Sequence, residues 1–323
     1  MKNAASNQER TRRLELWTRR MDAQARALAR AARARNTERA YASDLRDFES
    51  FCLITDAYRE PPEAETVARY FAWLAQEQGR KPSTIRRRLA GLCRVWDDRY
   101  GLNHAGRDET VRRVVEGILR TYTAGVAQAR ALTVEEVRRL SLACDVRGHA
   151  GRRDRALLLV GFAGGFRRSE LVTLDVEHVQ YLEDRLRVYL PHSKTDPRGR
   201  GHWRSLRRGR RPVTCPVRAL RAWVEGAGLT SGPLFRGVDR WGHVLRSRMH
   251  PDTVWHLLRR LGARAGLEAG ISPHSLRAGF VTSATSRGLQ PLEVQRVTGH
   301  RAVQTLARYD RGDAAAAPAD LGL

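Results

Sequence analysis

A chain of 323 residues has room for two domains with separate cores, and its 41% hydrophobic fraction contains no apolar run long enough to span a membrane. Four cysteines, Cys52, Cys93, Cys144 and Cys215, lie far apart without a Cys-x-x-Cys pair, which fits reduced thiols and argues against a disulfide framework or a zinc site. The net charge of +24 divides into +9 over residues 1–130 and +15 over the rest, a spread that a single basic tail would not give. Such a balance points to a polyanion held along an extended surface, with nucleic acid the default partner.

Arginine supplies nearly all of this charge; the only lysines are Lys2, Lys81 and Lys194. A mid-chain lysine therefore marks a place where a generic cation does not suffice. Residues 1–20 are polar and lack the apolar core of a signal peptide, so the expected location is the cytoplasm.

Residues 1–35 read as a basic helical arm with Leu14, Trp17, Met21 and Leu28 on one side. A helical domain is expected over 36–122. Its first helix, capped at Asn36 or Thr37, carries the stripe Tyr41, Leu45, Phe48 and Cys52. Pro61-Pro62 interrupts, and Val67, Phe71 and Leu74 mark the second helix. Ser83 caps a third with Ile85, Leu89, Leu92 and Trp96, and Glu109–Tyr122 forms a fourth. Lys81, Arg86, Arg87 and Arg88 cluster at the start of the third helix, where helix N-termini and cations both favour phosphate, and are the expected DNA contacts of this domain.

Periodicity is lost over the expected linker, 123–132. Thr133-Val-Glu-Glu136 is a capping box that opens a second domain over 133–311, leaving a short alanine-rich tail at 312–323. A buried helix from Arg155 stops at Gly164-Gly165, and Phe166-Arg167-Arg168-Ser169-Glu170-Leu171 leads into the next. Alternation over Val176–Tyr181, Leu186–Leu190 and His202–Leu206 predicts a small antiparallel sheet. Lys194 falls in the turn between the last two strands. The run of arginines from Arg198 to Arg211, Arg198 and Arg200 foremost, is expected to be a solvated rail for phosphates. Pro216 and Pro251 each open a further helix.

The chemistry gathers near the C-terminus and at two upstream points. Phosphodiester transfer needs fixed donors aimed at the non-bridging oxygens, and Arg167 and Arg277 offer forked, permanently charged ones. His274 and Arg277 share a helix face at i, i+3, while His300 follows Gly299 at a helix end. Tyr309 is a candidate nucleophile whose ordinary pKa, about 10, demands a cationic site. Lys194 can donate a proton to a leaving oxygen, which arginine effectively cannot.

Gly165-Phe-Arg167-Arg-Ser-Glu170-Leu, Ser-Lys194-Thr-Asp, His274-Ser-Leu-Arg277, Gly299-His300 and Tyr309, in this order and spacing, resemble the tyrosine recombinase (phage integrase) family of bacterial mobile elements. The likeness covers about residues 36–310. It implies a mainly α fold with a small antiparallel β-sheet, in a two-domain DNA clamp: an N-terminal helical core-binding domain plus a C-terminal α+β catalytic domain. It also implies cleavage and rejoining through a 3′-phosphotyrosyl link without metal, ATP or other cofactor. Tyr309 would be the nucleophile, Arg167, Arg277 and His300 would stabilise the transition state, Lys194 would be the acid, His274 would move protons, and Glu170 would orient a catalytic side chain. The implied partner is double-stranded DNA with inverted-repeat half-sites. The protein would be a monomer or weak dimer when free and a homo-tetramer on two paired sites, close to the bacterial or phage nucleoid. Fourteen residues follow Tyr309, so protomer contact is expected to lean on the arm at 1–35.

Overall fold

The computed structural model describes residues 2–31, 35–122, 129–191, 201–267 and 270–299. The chain falls into two compact units, 1–127 and 128–323. Its fold class is the expected one, mainly helical with small antiparallel sheets. No described helix is long and apolar enough to cross a membrane.

The first unit consists of α1 (Lys2–Ala31), α2 (Arg35–Ile54), α3 (Ala64–Gln76), α4 (Pro82–Tyr100) and α5 (Glu109–Thr121). On α1, Leu14, Trp17 and Leu28 are exposed, so the apolar side of the arm is not covered by the unit's own core. The stripe on α2 does enter the core: Phe48 and Cys52 are buried, and Leu45 packs partly against them. Aromatic edges fix the centre, with the Phe48 ring 5.2 Å from Tyr70 and 5.3 Å from Trp96. Proline opens α4, and Asp108 caps α5 by accepting from Thr110 N–H at 2.7 Å.

In the second unit come α6 (Val134–Leu142), α7 (His149–Ala163) and α8 (Arg168–Val172), then β1 (Val179–Tyr181), β2 (Arg185–Leu190) and β3 (His202–Arg207). They are followed by α9 (Pro216–Gly226), β4 (Arg236–Val238), β5 (Val244–Arg248), α10 (Pro251–Arg264), α11 (Pro273–Thr285) and α12 (Pro291–Thr298). The capping box at α6 is formed: Thr133 Oγ1 accepts from Glu136 N–H at 3.1 Å, and Glu136 accepts from Thr133 N–H at 2.8 Å. Helix α7 is apolar around most of its circumference, with Ala156 to Val160 all buried, and packs against α9 and α11. The three-stranded sheet has the order β1-β2-β3, and its register sets Leu186 opposite Leu206 and Val188 opposite Arg204.

The structure departs from the expected elements in three places. Val176–His178 is a 3₁₀ turn ahead of β1, because Asp175 N–H donates to His178 Nδ1 and closes it locally. The hairpin β4–β5 was not foreseen. The end of the expected linker is packed core: Leu132 is buried, its N–H donates to Ser275 O, and Arg130 pairs with Glu136. Residues 123–128 of that linker lie outside the described residues.

The seating of Leu132 depends on Gly279, midway along α11. A Cβ there would stand 2.2 Å from Leu132 O and 2.9 Å from Phe162 Cε2. Gly279→Ala gains about 1 kcal/mol of helix propensity but must displace backbone, which typically costs about 1–3 kcal/mol in a packed core. We expect net destabilisation of the second unit in chemical denaturation. Gly117→Ala on α5, where nothing lies within 4 Å of the new Cβ, should instead be neutral or stabilising by up to about 1 kcal/mol.

Candidate active site

The site is built on the turn that ends α7. Gly165 adopts φ +56°, and a Cβ there would stand 2.9 Å from Phe280 Cδ1 and 3.1 Å from Thr298 Cγ2, so both conformation and close approach require glycine. The turn carbonyls point at arginines. Gly164 O accepts from Arg204 Nη1 at 3.1 Å, and Gly165 O accepts from Arg277 Nη1 at 2.8 Å. Cations at a helix C-terminus are favoured by its exposed carbonyls as well as by its dipole.

Arg167 follows as the N-cap residue of α8. Its backbone N–H donates to Glu170 Oε2 at 2.9 Å, and its Nη1 donates to Glu170 Oε1 at 2.5 Å. Its Nη2 reaches Gly299 O at 3.5 Å, and its side chain keeps 22% exposure. Arg277, one turn into α11, is 1% exposed. The preceding turn is shaped by Pro273 and by Ser275 Oγ, which accepts from Ser272 N–H at 3.1 Å. His274 stays accessible beside it. Partial desolvation, and then the charges of Arg277 and Arg167, hold its imidazole below the ordinary value of 6.5, which favours the neutral ring. Arg167 and Arg277 thus form a cationic pair with the imidazole of His274 close to both. Lys194, His300 and Tyr309 lie outside the described residues, although the C-cap of α12, Gly299 with φ +66°, stands one residue before His300.

Glu170 is 3% exposed and bridges two guanidiniums, because Arg204 Nη2 lies 3.2 Å from its Oε2. Burial alone would raise this carboxyl, but the charges of Arg204 and Arg167, with the backbone hydrogen bond, outweigh it and hold the group below its ordinary value. Arg204 itself corrects the expectation of a solvated arginine rail from Arg198 to Arg211. It is 2% exposed and lies over the Phe166 ring at 4.6 Å, while Arg207, Arg208, Arg210 and Arg211 are exposed. A signal was present: in the alternation of β3, Arg204 has the parity of Leu206 and so falls on the inward face. Arg198 and Arg200 lie outside the described residues.

In the helical unit the expected DNA contacts separate. Lys81, the N-cap of α4, and Arg86 are exposed and form no ion pair among the described residues. Arg87 is bound by both oxygens of the buried Asp44, at 2.5 and 2.7 Å. Arg88 is half-buried and held by Asp47 and by Tyr70 Oη, the latter at 2.7 Å. Those two cations tie α4 to α2 and α3.

The chain is similar to several known proteins. Residues 130–315 match the phage integrase family. An integrase/recombinase xerD homolog from Selenomonas ruminantium is 30% identical over 281 residues, covering 86% of this chain and 82% of that protein. Tyrosine recombinase XerD from Pseudomonas aeruginosa is 29% identical over 279 residues, covering 85% and 86%. Among solved structures, a lambda integrase dimer bound to a COC′ core site shares the fold with TM-score 0.60 at 15% identity, over 90% of this chain and 77% of that one. XerH recombinase bound to palindromic difH substrate gives 0.58 at 18% identity, over 85% and 75%. The chain belongs to the phage integrase family, the tyrosine recombinases, enzymes of site-specific recombination that cut and rejoin DNA.

Glu170 yields a pH prediction. Its folded value lies below the ordinary 4.5, so the carboxylate contributes stability that is full above about pH 4.5 and is lost as pH falls through the folded value. Glu170→Gln leaves Arg204 buried without its counter-charge and should cost about 3–5 kcal/mol near neutrality. Denaturation across pH should show the gap between wild type and variant shrinking only below pH 4.5.

Proposed function

We propose that this chain recombines DNA by transferring a scissile phosphate to Tyr309 within a site formed by Arg167, Lys194, His274, Arg277 and His300. What supports the reading is the convergence of Arg167, His274 and Arg277 on the Gly164–Gly165 turn, with both guanidiniums fixed by protein acceptors. Forked donors held in place need no reorganisation when charge develops on the non-bridging oxygens.

In this reaction the Tyr309 oxygen bonds to phosphorus as the bond to the 5′ oxygen breaks. Lys194 protonates the departing oxygen, and the phenolic proton passes to a neutral acceptor. His274 suits that role because its imidazole is held below its ordinary value. The 3′-phosphotyrosyl link conserves the phosphodiester, so attack by a 5′ hydroxyl from a second duplex reverses the step and completes exchange. Exchange of this kind pairs two DNA sites, each with inverted half-sites, and so calls for four protomers whose symmetry matches the DNA. The helical unit, over 36–122, would add phosphate contacts through Lys81 and Arg86, with the half-exposed Arg87 guanidinium at their edge. We place the protein in the cytoplasm of a bacterium, acting on chromosomal or phage DNA.

Tyr309→Phe should bind its DNA with near wild-type affinity and form no covalent adduct on a nicked duplex; nicking and joining by this variant would overturn the assignment. Lys194→Ala should lose about 10²–10⁴-fold in cleavage, the usual worth of general acid catalysis. Its rate should recover on a 5′-bridging phosphorothiolate, whose leaving group needs no proton. Without recovery, lysine is not the acid.

A further inference from the structure

We infer that Arg204 is a positioning residue for the transfer reaction: from the protein interior it fixes the Arg167 guanidinium and the Thr298–Gly299 turn in one frame. The inference rests on the assignment of Arg167 to the phosphate. Arg204 does not touch DNA in this role, since its side chain is fully buried.

Three contacts carry the argument. Arg204 Nη2 lies 3.2 Å from Glu170 Oε2 and 3.5 Å from Thr298 O, and Nη1 donates to Gly164 O at 3.1 Å. One guanidinium plane thereby joins the end of α7, the carboxylate behind Arg167, and the end of α12 two residues before His300. Its face lies on Phe166, so the plane cannot rotate without losing packing. Arg167 reaches the same α12 end from the other side, through Gly299 O. The five donors of one arginine are what make such a tie possible; a lysine has the charge but not the fork.

Charge gives Arg204 a second effect. Glu170 alone beside Arg167 would form a closed pair with a net charge of zero, and a neutralised Arg167 would attract phosphate weakly. With Arg204 present, one carboxylate is shared between two guanidiniums. Glu170 then orients Arg167 through Oε1 while part of the positive charge stays uncompensated and faces the solvent side, where Arg167 retains its exposure. Orientation and charge are separated by adding one buried arginine.

The test uses the full chain, with nicked suicide duplexes carrying the native site, and the variants Arg204→Met, Arg204→Lys, Glu170→Gln and Arg167→Ala. DNA affinity, thermal midpoint and the single-turnover rate of covalent adduct formation in the bound complex are measured for each. We expect Arg204→Met to keep affinity within about threefold of wild type and to lose about a hundredfold in rate, the scale of a misplaced catalytic group. Arg204→Lys should recover only part of this. The 5′-bridging phosphorothiolate should not rescue Arg204→Met, because its defect lies in the clamp and not in proton delivery. Combined with Glu170→Gln, the loss should be far less than the product of the single losses, since both act through Arg167. A wild-type rate per bound complex in Arg204→Met, or in Arg204→Lys where the methionine variant does not fold, overturns the proposal. So does rescue by the phosphorothiolate. If Arg167→Ala itself cleaves normally, the site assignment falls and takes this inference with it.

Discussion

Burying one carboxylate between two guanidiniums sets three charges in a place where water would have solvated each of them, and the desolvation cost of such a group is several kcal/mol per ion. Glu170 and Arg204 tolerate it because each is tied by more than one group: the carboxylate takes Arg167 N–H, Arg167 Nη1 and Arg204, while Arg204 also donates to Gly164 O and Thr298 O. Arrangements of this kind add little net stability over an apolar core, but breaking one partner strands the others. They therefore specify geometry more than they stabilise. Here the geometry specified is that of the α7–α8 turn together with β3 and α12, which lie far from it in sequence. The glycines of the turn follow from the same constraint, since only a bare backbone lets Gly165 fit between Phe280 and Thr298.

The charge of the chain looks different once partners are assigned. A net +24 invites the view that arginines coat the surface, yet several hold the protein together. Asp44 and Asp47 take Arg87 and Arg88, and Arg153 and Arg260 share the buried Asp154. Asp97 accepts from Arg107 through two 2.8 Å bonds and meets His104 at 3.0 Å; the first of these contacts does most to push its carboxyl down to about 2. In a chain almost without lysine, arginine does structural duty as well as phosphate binding, so exposure and pairing, not composition, mark which cations remain for DNA.

Much of the fold was legible because its signals are local. Capping at Thr133, prolines at the starts of α9 and α10, and strict alternation in β2 each act within a few residues and predict elements that are present. The hairpin β4–β5 carried no such signal: β4 has only three residues, all half-buried and the middle one a glycine, and β5 is mostly exposed, so neither shows an apolar face. Arg204 was obscured for a different reason. It belongs to an arginine-rich run in which Arg207, Arg208, Arg210 and Arg211 are exposed, and only the strand's parity separates it from them. Whether an inward arginine finds a carboxylate is a question of tertiary contact, and Glu170 lies 34 residues upstream.

His274 shows how these charges bear on the reaction. In the free protein its proton is disfavoured by desolvation and by two nearby guanidiniums, so the imidazole enters the site as a base. A phosphate seated between Arg167 and Arg277 would cancel part of that repulsion and add a negative charge close by. Both changes raise the affinity of the ring for a proton. As the acceptor of the proposed reaction, His274 would therefore become stronger when DNA occupies the site, and stronger still as negative charge builds on the phosphoryl oxygens during attack. In the proposed reaction the two guanidiniums would thus act twice, on the phosphate directly and on the proton affinity of the residue beside it.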